Sequence, residues 1–185
     1  DIRFMDHSGI DARGTLRAFA YLGSKGGAST ISQQLARQLF VGVRSRSKLD
    51  AIKQKLKEWV LAIRLERSYT KEEIISMYLN IYDFGNNADG IRSAARIYFG
   101  KEPKDLKVEE SAMLVGMLQN SSLFNPLRRE ELTLNKRNVV LGQMAKYDYI
   151  TEAEKDSLQA LKMDINYNPE SHREGLATYF RMYLH

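Results

Sequence analysis

Glu58 and Lys55 stand three residues apart where apolar residues recur at helical spacing, so one helical turn brings a carboxylate and an ammonium together. Glu58 opens a stripe that continues through Leu61, Ala62 and Leu65. A carboxylate there is partly desolvated with a cation in reach, the setting that tunes a catalytic acid. An ordinary surface ion pair uses the same two residues. Upstream, Gly26-Gly27-Ala28-Ser29-Thr30-Ile31-Ser32-Gln33-Gln34-Leu35-Ala36-Arg37 passes from glycines to hydroxyls and amides and ends on a cation. The glycines let backbone approach a ligand, Ser29 or Thr30 can cap the helix that follows, and the free amides of that helix suit a phosphate. Gln33 and Gln34 offer uncharged donors and acceptors of the kind that hold a sugar. A well-capped helix with a solvated polar face accounts for the same residues. Neither GxGxxG nor a P-loop fingerprint occurs, which counts against a nucleotide.

The remaining polar candidates are more scattered. Residues Asp1 to Asp11 mix acid, imidazole and glycine ahead of a helix carrying Arg17; a lone His7 in such a place orients backbone through a hydrogen bond. Asn80 falls where a helix gives way to a loop, a place that also suits a plain helix cap. Three separated histidines and no cysteine leave no metal-ligand spacing, no disulfide and no thiolate.

The elements that must position these residues are helices. Pro is sparse, sustained two-residue alternation is absent, and the fold class predicted is mainly α. A helix is predicted from about residue 51 to 67, with Ile52, Leu56, Trp59, Val60 and Ile63 as the stripe facing the core and Glu58 on roughly the opposite side. Thr70-Lys71-Glu72-Glu73 and Thr151-Glu152-Ala153-Glu154 are capping boxes that open two further helices. Gly85 and Gly100 are read as helix stops, and Asn125-Pro126 as a turn before another helix. At 185 residues, 43% apolar and 28% charged, the chain has the length of one packed domain rather than a disordered or low-complexity segment. No apolar run nears the ~20 residues that cross a bilayer. The chain opens at Asp1 with neither Met nor a leader, which points to a piece of something longer. Residues 1–70 hold 13 Lys and Arg against 6 Asp and Glu, whereas residues 71–185 hold 15 against 17. The basic excess lies between Arg37 and Arg67 and suits an anionic partner: nucleic acid, an anionic membrane surface or a phosphorylated substrate.

Taken in order, these pieces resemble the peptidoglycan glycosyltransferase domain of class A penicillin-binding proteins. Asp1, Phe4, His7, Gly9 and Asp11 match the first family motif from its second residue. Gly26 to Leu35 match the second, with Ala28 inserted and Ser32 in place of Thr. Lys55 and Glu58 match the third, where Gln54 stands in place of Arg. Tyr78-Leu79-Asn80 through Phe84-Gly85 and Gly90-Ile91 match the fourth, with a loop less rich in glycine than usual. A hydrophobic helix and Asn-Pro turn, Ala112 to Pro126, match the fifth.

The resemblance implies a lysozyme-like fold, with a large helical lobe and a small membrane-facing jaw at roughly 38–52 in a glycosyltransferase domain spanning 1–170. Residues 171–185 would begin a connector toward a transpeptidase domain. It implies polymerisation of lipid II into glycan strands, with inversion at the anomeric carbon and release of undecaprenyl diphosphate. The family's general-base Glu would fall just before Asp1. Glu58 would be catalytic beside the donor diphosphate, and Arg37, Lys55 and Arg46 would offset the charge building there. Arg17, Ser29, Thr30, Gln33, Gln34 and Asn80 would position sugars and phosphate, while Asp1, Phe4, His7 and Gly9 shape the first motif. No cofactor is required by the sequence, although the resemblance leaves room for a divalent cation, Mg or Mn, at the diphosphate. The partners implied are lipid II, the growing glycan, a membrane surface touched through Leu39, Phe40, Val41 and Val43, and no nucleic acid. The location implied is the extracytoplasmic face of a bacterial membrane. A lysozyme-like hydrolase or lytic transglycosylase would share the fold but has no need of a dense cationic strip. A basic helical nucleic-acid-binding domain would rest on charge alone.

Overall fold

A computed structural model describes residues 3–20, 29–42 and 47–169, without the side chains of 17–20 and 48. Eight α-helices form among these residues: α1 (Ala12–Ala20), α2 (Ile31–Ala36), α3 (Lys48–Ser68), α4 (Lys71–Ile81), α5 (Gly90–Phe99), α6 (Val108–Met117), α7 (Glu130–Lys146) and α8 (Glu152–Ala160). Two 3-10 turns, Phe4–Asp6 and Pro103–Asp105, and a π-helical turn, Arg37–Val41, complete the set. The described residues hold no strand beyond an isolated bridge between Asp83 and Asp89, so the mainly α class holds. The chain divides into two compact units, Asp1–Ile81 and Tyr82–His185.

The first unit contains every residue put forward above for chemistry. In it α2 packs on both α3 and α4, burying Leu35 and Ala36 completely. The face of α3 turned inward carries Glu58, Ala62 and Leu65, which reverses the expectation for this helix. Ile52, Leu56 and Val60, predicted to face the core, are 59%, 53% and 52% exposed. Both stripes are apolar enough to be buried. The one chosen carries the smaller side chain Ala62, against which backbone can come close. Gly9 does so: its φ is +94°, and a Cβ there would meet the carbonyl carbon and oxygen of Ala62 at 2.9 Å. The expected helix spans from residue 48 to 68, slightly longer at each end than predicted.

The second unit is built around Phe84, Ile97, Tyr98, Phe99, Met113, Leu114 and Met117. The buried Tyr98 hydroxyl donates to the Phe84 carbonyl at 2.8 Å and accepts from Asn86 at 2.9 Å, and burial pushes its pKa up to about 12. Gly100 ends α5 in the left-handed conformation, as predicted. Gly85 does not stop a helix, because α4 has already ended at Ile81. Instead the Ala88 amide donates to the Gly85 carbonyl around Asn86 and Asn87, whose φ values of 55° and 62° make a type I′ turn. Asparagine tolerates that region better than other L residues with a side chain, which explains how this loop manages with fewer glycines. Both threonine capping boxes form, Thr70 with Glu73 and Thr151 with Glu154. Asn125 makes its turn ahead of α7, its Oδ1 accepting from the Leu127 amide at 3.0 Å.

Candidate functional site

Thr30 caps α2, its hydroxyl oxygen accepting from the Gln33 amide at 3.2 Å while the hydroxyl donates to the Gly9 carbonyl at 2.8 Å. Gln33, itself 1% exposed, donates to the same carbonyl at 3.2 Å. Two elements far apart in sequence are thus fixed to each other through one backbone oxygen of the first motif.

The Lys55 ammonium forms the centre of the site. It donates to the Ser29 hydroxyl oxygen at 2.7 Å, to Gln33 Oε1 at 3.0 Å and to Glu58 Oε2 at 2.8 Å, which uses all three of its N–H groups. Glu58 is 6% exposed, so the surface pair open on sequence grounds gives way to a largely buried carboxylate held beside a half-buried cation. Glu58 Oε1 accepts no hydrogen bond from the described residues, which leaves one carboxylate oxygen available to an incoming group. Gln34 stands next to this cluster, its amide reaching the Ser29 carbonyl at 3.5 Å and its oxygen accepting from the Tyr78 hydroxyl at 3.1 Å.

A second polar cluster supports the first. Lys71, the first residue of α4, pairs with Glu66 at 2.6 Å, donates to the His7 carbonyl at 2.5 Å and lies 4.4 Å from the Phe4 ring centroid. Glu66 also accepts from the Ser32 hydroxyl. His7 Nδ1 accepts from the Gly9 amide at 3.2 Å, so this histidine does orient backbone. Burial and the Lys71 ammonium hold the His7 pKa below its ordinary 6.5, against the opposing pull of Glu66 and Asp11. Asp11 in turn pairs with Arg3 at 2.5 Å at the start of α1, and its pKa is lowered chiefly by the Gly14 amide and by Arg3.

The structure therefore brings together Ser29, Thr30, Gln33, Lys55, Glu58 and Gly9, with Gln34, Phe4 and His7 adjoining. Asn80 lies exposed near the end of α4 and donates to Ser76 of its own helix at 3.4 Å. Arg37 opens the π-helical turn and contributes no hydrogen bond to the Lys55 cluster. Asp1, Arg46, Val43, the side chain of Arg17 and residues 171–185 lie outside the described residues. Glu66 was not put forward from sequence, and Lys71, Ser32 and Tyr78 were read there only as members of a capping box or a motif, not as site residues. One signal was present for the first of these: Glu66 falls eight residues after Glu58, on the same helical face.

Among the described residues no three His, Asp or Glu side chains converge, and the carboxylate of the Lys55 cluster already faces an ammonium. The side chains of these residues alone make no all-protein cage for a divalent cation. They can hold and neutralise an anionic oxygen, hydrogen-bond hydroxyls, and present one carboxylate oxygen in a partly desolvated place.

Residues 1–145 match the transglycosylase family, and the chain belongs to it. More particularly, it is a transglycosylase domain of the kind found in class A penicillin-binding proteins. It is 42% identical to penicillin-binding protein 1A of Vibrio cholerae over 164 residues, which cover 86% of this chain and 19% of that protein. With penicillin-binding protein 1A of Escherichia coli it shares 39% identity over 172 residues, covering 91% of this chain and 20% of that one. The chain thus spans about a fifth of the length of these curated relatives. A crystal structure of penicillin-binding protein 1A from Haemophilus influenzae superposes with a TM-score of 0.50 at 32% identity, covering 54% of this chain and 15% of that one.

Proposed function

We propose that the chain is a peptidoglycan glycosyltransferase that polymerises lipid II with inversion at the anomeric carbon. The observation that carries this reading is the buried Glu58 ion-paired with Lys55 inside a cradle of Ser29 and Gln33. In the inverting displacement the acceptor 4-hydroxyl attacks the donor's anomeric carbon, the bond from that carbon to the diphosphate oxygen breaks, and undecaprenyl diphosphate departs. The base that takes the hydroxyl proton is, by the family motif, a Glu ahead of Asp1. Lys55 is the residue best placed to meet the negative charge that builds on the leaving oxygen, because its donors already point at anionic and polar acceptors. Diphosphate binding then competes with Glu58 for Lys55 and frees that carboxylate to steer the leaving group or a bound water. Gln33 and Ser29 supply neutral hydrogen bonds to sugar or phosphate, with Thr30, Gln34, Arg17 and Asn80 assigned to positioning by the resemblance, while Arg37 and Arg46 join Lys55 in offsetting the charge on the diphosphate.

A membrane-bound substrate also accounts for the exposed face of the first unit. Leu39 and Phe40, in the predicted jaw, are exposed, and Phe40, Val41, Leu56, Val60 and Leu61 line an apolar groove edged by Lys57 and Arg64. Apolar side chains bordered by cations suit the interface of an anionic bilayer. No helix among the described residues is long and apolar enough to cross a membrane. The proposal places the domain on the extracytoplasmic face of a bacterial membrane, followed beyond residue 170 by a connector and a transpeptidase domain.

The test is to incubate the full-length protein with lipid II and resolve glycan polymer by electrophoresis. Polymer is expected, and Glu58→Gln is expected to reduce its rate by at least about a hundredfold with an unchanged circular dichroism spectrum. Release of short fragments from preformed glycan, with no polymer made, would instead identify a hydrolase.

A further inference from the structure

The second unit holds a cavity of about 190 Å³ between α6, α7 and the segment after α8. Its floor and walls include Phe99, Met113, Met163 and Ile165. Arg137, on α7, also lines it and is 1% exposed. A guanidinium so deeply buried ordinarily meets a carboxylate. Here Nε and Nη2 both donate to Asn138 Oδ1, and Nη2 also donates to the carbonyls of Gln159 and Leu161 at the end of α8. Those carbonyls carry the partial negative charge of a helix C-terminus. No carboxylate among the described residues forms an ion pair with Arg137, and Nη1 donates to none of them.

The other charges around the cavity define what it lacks. Lys107 and Lys162 line it together with Glu109, Glu110 and Asp164. Glu110 is already engaged, pairing with Lys101 at 2.6 Å and accepting the Lys107 amide at 2.8 Å. Three cations then face two uncommitted carboxylates, an excess of one positive charge. We propose that this cavity is a binding site for a small organic monocarboxylate on a short apolar chain, its carboxylate meeting Arg137 Nη1 and its chain lying on Met113 and Met163. The site is separate from the Lys55–Glu58 cluster, and the proposal does not depend on glycosyl transfer.

Size and charge both narrow the ligand. A cavity of about 150 Å³ holds a benzene, so this one takes a molecule of roughly eight non-hydrogen atoms. A dianion such as phosphate is disfavoured, since Glu109 and Asp164 stand at the same walls and repel a second charge. An uncharged apolar molecule gains the walls but gives Arg137 Nη1 no acceptor in place of the solvent that reaches it.

The test uses this 185-residue chain labelled on its methionine methyl groups, titrated with hexanoate, hexanol or inorganic phosphate and followed by NMR. Saturable shifts of the Met113 and Met163 methyls are expected with hexanoate and not with the other two at equal concentration. Lys162→Glu, a change at an exposed residue that holds no helix in place, is expected to weaken hexanoate binding about tenfold. Arg137→Gln is expected to abolish it. Because Arg137→Gln risks unfolding, the Lys162 variant keeps the proposal open to failure. Absent shifts, equal shifts with hexanol, or unchanged affinity in Lys162→Glu would overturn it.

Discussion

Glu58 and Lys55 hold each other in place, and the two are unequal: the carboxylate is largely buried while the ammonium is a third exposed. Removing the cation therefore strands a desolvated charge, whereas removing the carboxylate leaves a lysine that water still reaches. Lys55→Met is expected to lower stability by about 1–3 kcal/mol, the range for an uncompensated buried polar or charged group discounted for partial exposure of the pair. Glu58→Gln is expected to cost less. Urea unfolding of both variants at neutral pH checks the order. His7 supplies a pH dependence. Its pKa is lower in the folded chain than the ordinary 6.5, so below pH 6.5 the unfolded chain binds more protons than the folded one. This contribution to stability is fully present above 6.5 and is lost as the pH falls through the folded-state value. His7→Asn, which keeps an acceptor for the Gly9 amide, is expected to remove that part of the decline in urea midpoint below pH 6.5. The pairing of Lys55 with Glu58 was legible in their three-residue spacing. The pairing of Glu66 with Lys71 and Ser32 was not, because it joins three helices and no local pattern records which side chains meet across them.

At the scale of elements, the first motif runs through the 3-10 turn Phe4–Asp6 and a bend, and at Gly9 it lies against the backbone of α3. A Cβ at that position would both clash with the Ala62 backbone and sit at a φ of +94°. Gly9→Ala is expected to destabilise by roughly 2–4 kcal/mol, from overpacking and backbone strain together. Because the Gly9 carbonyl anchors Thr30 and Gln33, the same change is expected to impair polymerisation more than the stability loss alone explains. Thermal melts alongside initial rates, compared with a variant of equal stability altered elsewhere, would separate the two effects. Helix starts at Thr70 and Thr151 could be read directly, since a capping box is complete within four residues. Gly85 was misread for the converse reason. Glycine after an aromatic suits a helix stop and a turn alike, and the paired left-handed asparagines that settle the matter follow it.

For the whole molecule, the uneven charge is a property of the chain that needs no fold to be counted, yet its meaning depends on what lies beside it. In the first unit the cations Lys57 and Arg64 border exposed Leu56, Val60 and Phe40, which turns a basic strip into an amphipathic surface. Leu56→Gln with Val60→Gln is expected to reduce sedimentation with anionic phospholipid vesicles severalfold. Both side chains are more than half exposed, so the thermal midpoint is expected to stay nearly constant. Undiminished vesicle binding would remove this face from the membrane reading.

Residue types and short spacings were enough to establish a mainly helical chain, the positions of its capped starts, the nearness of Lys55 to Glu58 and the family motifs, because each is set within about two turns of backbone. Which side of α3 turns inward was decided only by the tertiary structure. Helical periodicity offered two apolar stripes, and the burial of the one containing a carboxylate depends on Ser29, Gln33 and Gly9 arriving from elsewhere in the chain to meet Lys55 and Ala62.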